Sequence, residues 1–299
     1  MTRLADLAEL VRAPAALSVP GDVLSGAAAA GALGPRTPAL AGASVLLYWA
    51  GMAANDWADR RLDAVERPER PIPSGRVRPS VALGVASGLT AAGLAVATAA
   101  GGRRAAAVAL PLAATIWGYD LRAKNTAAGP AVMAACRGLD VLLGASGGRV
   151  VRALPAALTV AAHTWTVTAL SRREVTGADR RLPGLTLAGT ALIALATPAR
   201  PTPSATGSGR SGAGRAARLG EFVPAVLAAG YVARYGRAQA RVLADPSPGR
   251  VRAAVGAGIT GLPALQGALT ARAGARLLGL AVAGAAPLGR RLARLISPT

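Results

Sequence analysis

At 299 residues, 52% of them hydrophobic and 16% charged, with a mean hydropathy of +0.39, the chain is too apolar for a soluble domain of its size. Its net charge of +20 comes from arginines set between long apolar runs, which excludes the polar basic surface of a nucleic-acid binder and points to anionic lipid or an anionic substrate. The single cysteine, Cys136, excludes an internal disulfide, and its place within an apolar segment gives it a packing role. The N-terminal stretch MTRLADLAELVRAP lacks the short apolar core and cleavage site of a secretory signal, so the first span is expected to direct insertion.

A hydrocarbon core about 30 Å thick takes roughly 20 apolar residues as a helix. That ruler places spans near 14–34, 38–55, 79–100, 104–120, 128–148, 153–171 and 182–198. After a loop rich in Pro, Ser, Gly and Arg from 197 to 218, apolar stretches recur near 219–236, 251–271 and 274–295, one of which reads as interfacial or tilted. The expectation is an all-α, polytopic transmembrane helical bundle of about nine spans (eight to ten). High Ala and Gly content suits close helix packing in lipid. With no repeat of fixed period and no soluble domain, residues 1–299 read as one transmembrane domain.

Loop arginines set the orientation. The loops after the second, fourth and sixth spans carry Arg60, Arg61, Arg67, Arg70, Arg76 and Arg78, then Arg122 and Lys124, then Arg172, Arg173, Arg180 and Arg181. Alternate loops carry fewer: Arg36, then Arg103 and Arg104, then Arg149 and Arg152. The richly charged loops are therefore expected in the cytoplasm, with the protein integral to the plasma membrane.

Three polar loops then gather at one membrane face: Asn55 to Val77, Tyr119 to Asn125 and Ser171 to Arg180. In the first, Asn55, Asp56, Asp59 and Asp63 fit N-D-x-x-D-x-x-x-D, and residues three, four and seven apart share one face of a helix. Carboxylates packed so closely call for a cation, and an all-oxygen set suits a hard ion such as Mg2+, which keeps positions open for phosphate oxygens. Rare residues add to this. Lys124 is the only lysine, and Asn55 and Asn125 are the only asparagines.

The acidic motif followed by R-P-x-R-P-I-P-S-G, Arg67 to Gly75, resembles the first aspartate-rich motif of the UbiA superfamily of intramembrane prenyltransferases. The Y-x-x-x-x-K of Tyr119 and Lys124 is similar to that family's next loop, and the likeness extends from about Leu10 to about Leu185. The resemblance implies a bundle around a central cavity, with a prenyl chain in the membrane and its diphosphate at the cytoplasmic mouth. It implies two aspartate-rich motifs holding Mg2+. Asp56, Asp59 and Asp63 would hold the metal and Asn55 support it. Lys124, Arg122, Arg67 or Arg70 would contact the diphosphate, with Tyr119 nearby. The partners are then a prenyl diphosphate, a small-molecule acceptor and membrane lipid, with no nucleic acid.

The chain departs from the family in the third loop, where Ser171, Arg172, Arg173 and Glu174 stand in place of an aspartate array and Asp179 follows further on. Arg172 or Arg173 is expected to offset diphosphate charge there, partly replacing a second Mg2+, with Glu174 orienting that arginine or holding one weak metal. Two other readings stay open: a weakened homologue that binds prenyl diphosphates, and a carrier of lipid-like molecules. Within the spans, Asp22, the Arg137 and Asp140 pair and His163 must face protein rather than lipid. Arg137 and Asp140, one turn apart, are expected to neutralise each other, and His163 to make a structural hydrogen bond or accept a proton. Trp57, Trp117 and Trp165 are expected near the reaction cavity or in an interfacial belt.

Overall fold

The structure, a computed structural model, describes residues 3–196 and 221–285, and every element among them is helical. In order these are α1 (Leu4–Leu10), a 3-10 turn (Ala13–Ser18), α2 (Pro20–Ala30), α3 (Thr37–Glu66), α4 (Pro79–Gly118), a π turn (Tyr119–Ala123), α5 (Gly129–Ala145) and α6 (Val150–Ser171). There follow α7 (Arg181–Ala196), α8 (Val223–Tyr231), a second π turn (Val232–Gly236), α9 (Arg237–Ala244), α10 (Pro248–Arg272) and α11 (Arg276–Ala285). Proline stands in the first turn of α2, α3, α4, α5, α8 and α10, where its missing N–H costs no intrahelical bond.

Each apolar stretch read from the sequence falls on one of these helices as far as the described residues reach. The loop 197–218 and the end of the last stretch lie outside them. Three segments are long and apolar enough on their own to cross a membrane: Thr37–Glu66, Pro79–Ala123 and Val150–Ser171. The second is not one rod. Gly102, with φ 63 and ψ −154, breaks α4, and Trp117 Nε1 donates to Thr90 Oγ1 at 3.1 Å. On an unbroken helix those two residues would stand about 40 Å apart, so 79–101 and 103–118 are two helices folded back on each other.

The chain divides into two compact units, one running to Ala161 and the other from Ala162 to Ala286. In the first, Leu40, Ala43 and Leu47 of α3 pack against Ala97, Ala105, Ala109 and Leu112 of α4, with Val23 and Leu143 closing the core. Lipid is as apolar as leucine, so contact area between helices, not escape from water, holds such a core, and small residues let backbones meet. A Cβ on Gly26 of α2 would strike the Val141 carbonyl of α5, and one on Gly144 of α5 would strike the Val23 carbonyl of α2.

In the second unit, His163 of α6 forms a buried group with Tyr231 and Tyr235, its Nδ1 2.8 Å from Tyr231 Oη. Tyr235 Oη donates to Thr166 Oγ1 at 3.1 Å. The 171–180 loop lies on the turn between α9 and α10, where Ala178 N donates to the Pro246 carbonyl at 3.0 Å and Arg252 to the Glu174 carbonyl at 2.9 Å.

The α2–α5 contact makes a prediction. Gly144→Val should lower stability by roughly 1–3 kcal/mol through overpacking, read as a lower melting temperature in detergent. Gly84→Val, whose Cβ would meet no atom within 4 Å, should leave it unchanged.

Candidate active site

The acidic motif occupies the last turns of α3, which runs on past its apolar half to Glu66. Arg67, at φ −148, ends it, since the residue before Pro68 avoids helical geometry. Asp56 and Asp63 face inward and are almost wholly buried, at 4% and 2% exposure, while Asp59 is half-buried. Carboxylates so placed must be neutralised.

The loop after α3 supplies the first cation. Ser74 Oγ donates to the Arg70 carbonyl at 2.6 Å, Val77 N donates to the Pro71 carbonyl at 2.8 Å, and Gly75 takes the left-handed φ of 76 that the turn requires. Buried Ile72 and Val77 pin this loop to Ala53 and Ala54 of α3. The fold-back carries the Arg70 guanidinium across the helix face, where one nitrogen lies 2.6 Å from Asp63 and 3.3 Å from Asp56. Arg67 reaches only the outer side of Asp63, at 3.8 Å.

The N-terminal segment supplies the second. Leu10 of α1 is fully buried among Ala53, Ala54, Ile72 and Val77. Arg76 holds α1 in place, meeting Glu9 at 2.6 and 2.9 Å and Asp6 at 2.9 Å while also donating to Ser74 Oγ and the Glu69 carbonyl. The Arg3 backbone N–H and the Arg76 guanidinium hold the Asp6 carboxyl below its ordinary range. Two residues beyond α1, Arg12 adopts a left-handed backbone (φ 45) that costs about 1–2 kcal/mol for a residue with a side chain. Its guanidinium lies 2.7 Å from Asp56.

The π turn at the end of α4 brings the third. Lys124 N donates to the Tyr119 carbonyl five residues back, so the turn is one residue wider than an α turn, a device found often at functional sites. Lys124 Nζ meets Asp59 at 2.6 Å, and buried Asp120 accepts from Asn55 Nδ2 at 3.1 Å.

The first two polar loops therefore meet, and Asn55, Asp56, Asp59, Asp63, Arg70 and Lys124 come together. The three aspartates, read as ligands of one ion, divide between two cationic positions instead: Asp56 and Asp63 share Arg70, and Asp59 takes Lys124. Among the described residues no three acidic, histidine or cysteine side chains are placed to hold one metal. Seven residues of helix, about 10 Å, separate the ends of the motif. Tyr119 gives the π turn its carbonyl and is half-buried, and Arg122 is exposed beside it. The third loop belongs to the other compact unit. There Arg173 is exposed, burial pushes the half-buried Glu174 carboxyl above its ordinary range against the pull of Arg252, and Asp179 caps α7 by accepting from Leu182 N at 2.9 Å.

Sequence reasoning missed Arg12 and Asp120. Asp120 had a signal, an acid within the YDLRAKN stretch that closes an apolar helix. Arg12 had only its place before the first apolar run. The expected pairing of Arg137 with Asp140 is corrected: Arg137 meets Asp22 of α2 at 2.7 Å and donates to the Ser18 carbonyl, while Asp140 accepts from Ser44 of α3. The Gly26–Gly144 approach brings α2 close enough to offer a better partner than the same helix does. Trp57 and Trp117 pack beside the α1 cluster, with the Arg60 guanidinium 4.6 Å from the Trp57 ring.

The family model described as UbiA prenyltransferase family matches residues 21–199. Digeranylgeranylglyceryl phosphate synthase of Methanothrix thermoacetophila is 44% identical over 80 residues, 26% of this chain and 30% of the relative. The bacteriochlorophyll synthase 33 kDa chain of Cereibacter sphaeroides is 46% identical over 54 residues, 18% of each. The aligned stretches thus span less than a third of these relatives. A solved chain from work on digeranylgeranylglyceryl phosphate synthase in membranes shares the fold with a TM-score of 0.67 at 16% identity, covering 91% of this chain and 99% of that one. The apo structure of a UbiA homolog from Aeropyrum pernix K1 gives 0.62 at 17% identity, with 85% and 96% covered. With more than half of its length matched by the family model, the chain belongs to the UbiA prenyltransferase family.

Proposed function

We propose that this protein transfers a prenyl group from an isoprenoid diphosphate to a small-molecule acceptor within the membrane, with Mg2+ as cofactor. The observation that carries the reading is the face of α3 on which buried carboxylates already hold cations: Arg12 and Arg70 at Asp56 and Asp63, Lys124 at Asp59. The donor chemistry suits a hard dication, because Asn55, Asp56, Asp59, Asp63 and Asp120 offer a metal only oxygen, although the aspartates, now on Arg12, Arg70 and Lys124, would have to exchange those cations and draw together to hold it. Asp56, Asp59 and Asp63 would hold Mg2+, with Asn55 and Asp120 supporting. Bound there, Mg2+ would supply charge neutralisation for the departing diphosphate.

The remaining chemistry falls to side chains of this chain. The allylic C–O bond breaks with the diphosphate keeping the electron pair, and the acceptor's nucleophilic atom bonds to the allylic carbon and gives up its proton. Arg70, Arg12 and Lys124, now on carboxylates, are the nearest cations to clamp phosphate oxygens, and guanidinium forks suit that task. Apolar helix faces keep water from the allylic cation.

The third loop favours a second reading, a homologue that binds prenyl diphosphates with little turnover. Of its two acids, Asp179 is engaged as a helix cap, which leaves Glu174. Incubation of the purified chain with Mg2+ and prenyl diphosphates of several lengths, with and without a cell extract as acceptor source, separates the readings. Diphosphate release that needs the extract supports transfer; binding without release supports the second.

Asp59→Asn should lower Mg2+-dependent release by about 10²–10³-fold, the scale of losing one transition-state contact, with membrane insertion intact by size-exclusion profile. Retention of normal activity would remove the metal assignment. In the third loop, Arg173→Ala should weaken prenyl diphosphate binding more than Arg181→Ala, because a guanidinium there offsets charge that the family meets with carboxylate-held metal. Equal behaviour of the two variants would return both arginines to a topological role. Orientation is checked with a cysteine introduced at exposed Ser74 in a Cys136→Ala background. It should resist an impermeant thiol reagent in intact cells and react after permeabilisation, while Arg103→Cys reacts in both.

A further inference from the structure

The second compact unit carries a cluster of cations that the prenyl-transfer reading does not use. Arg234, Arg237 and Arg241 recur at intervals of three and four residues along the second π turn and α9, and so share one helix face. Arg250 of α10 lines the same groove, whose volume is about 290 Å³ and whose remaining lining is alanine, Ala238 and Ala253 among it.

No acidic side chain lines the groove. Arg250 meets Asp245 at 3.4 Å in a pair more than half exposed, which water and salt screen. Arg234 donates to Thr260 Oγ1 at 3.1 Å. Among the described residues, Arg237 and Arg241 meet no carboxylate, and both are exposed. Arginines that serve only to set topology need neither a common face nor a groove. Arg61, Arg78 and Arg180 are of that kind, each exposed with no part in such a channel. Four guanidiniums along one channel repel one another, and a shared anion relieves that repulsion.

Two features narrow the anion. The alanine floor puts an apolar surface beside the charges, which suits an amphiphile whose phosphate is esterified rather than a bare ion. The site is also small, at about 290 Å³ just below the ~300–1,000 Å³ of pockets that enclose a drug-sized ligand, and it is built on the two helices, α9 and α10, whose connecting turn carries the 171–180 loop. The contacts of Ala178 with Pro246 and of Arg252 with Glu174 fix that loop to the α9–α10 turn.

We propose that this groove binds the phosphodiester headgroup of an anionic phospholipid, with Arg237 and Arg241 contacting the phosphate and the glycerol end lying on the alanine floor. Basic pockets between membrane helices recognise headgroups in this way, at about 1 kcal/mol for each basic residue near the surface.

The test is native mass spectrometry of the delipidated full-length protein titrated with phosphatidylglycerol or phosphatidylcholine, without prenyl diphosphate, so that its result is independent of catalysis. Wild type should retain phosphatidylglycerol at about thirtyfold lower concentration than phosphatidylcholine, and R237Q/R241Q should abolish that preference, as two basic contacts imply. R103Q/R152Q, which removes the same charge from exposed sites in the first unit, should keep it. Unchanged preference in R237Q/R241Q would overturn the proposal, as would equal loss in both variants, which would reflect bulk charge. Displacement of phosphatidylglycerol by millimolar inorganic phosphate, but not by glycerol, would assign the groove to a free anion and overturn the lipid assignment.

Discussion

Two carboxylates buried on the last turns of a membrane helix, Asp56 and Asp63, set the terms for everything around them. Isolated in low dielectric, each would cost several kcal/mol in its charged form, so α3 can end this way only if cations reach its inner face. The surrounding architecture meets that requirement. Three prolines, a serine and a left-handed glycine fold the loop after α3 back on itself, and the product of that fold is the position of Arg70. Arg76 ties Asp6 and Glu9 to the same loop, and the product of that tie is the position of Arg12. Neither α1 nor the loop has much apolar surface of its own to hold it in place. Leu10, Ile72 and Val77 provide it jointly, so the electrostatic clamp and the small cluster beneath α1 depend on each other.

A different constraint governs the rest of the first unit. Helices in lipid gain nothing by hiding leucine from water, so this chain packs by proximity, with alanine along α3 and α4 and glycine between α2 and α5. Close approach has an electrostatic consequence as well. It brings Asp22 within 2.7 Å of Arg137, and thereby turns two residues forbidden in hydrocarbon into a satisfied pair.

The sequence was legible where the signal is local. The rise and fall of hydropathy located the helices, and the loop of Arg103 and Arg104 between two apolar runs marked where α4 turns back. The boundary of α3 was not legible, because hydropathy ends near residue 55 whereas the helix continues to Glu66 on charges that are neutralised from elsewhere in the chain. The acidic motif and Arg70 announced themselves by spacing. Arg12 did not, because its importance lies in a contact across 44 residues. Asp120 was visible as an acid but not as a partner of Asn55, since a π turn sets its direction and no spacing rule anticipates one. The Arg137–Asp140 misreading has the same root. Periodicity reports which residues share a face, not which neighbouring helix comes close enough to compete.

The two ends of the acidic face differ in the cations that meet them. At one end Asp56 and Asp63 are matched by Arg12 and Arg70, with Arg67 at the rim, so no charge is missing. At the other, Asp59 and the buried Asp120 lie within electrostatic reach of each other and of Lys124, Asp120 also feels Arg12, and Asn55 adds a dipole. On the proposed reading, a dication entering at the Asp59–Asp120 end meets one lysine ion pair, the Asn55 amide and a more distant guanidinium. At the Asp56–Asp63 end it must first displace a guanidinium. That displacement is tolerable only if the arginine finds another anion at once, and the incoming diphosphate is such an anion. On that reading the arrangement would couple the seating of metal to the arrival of the phosphate, and the strained backbone at Arg12 would hold a side chain ready to pass from carboxylate to substrate.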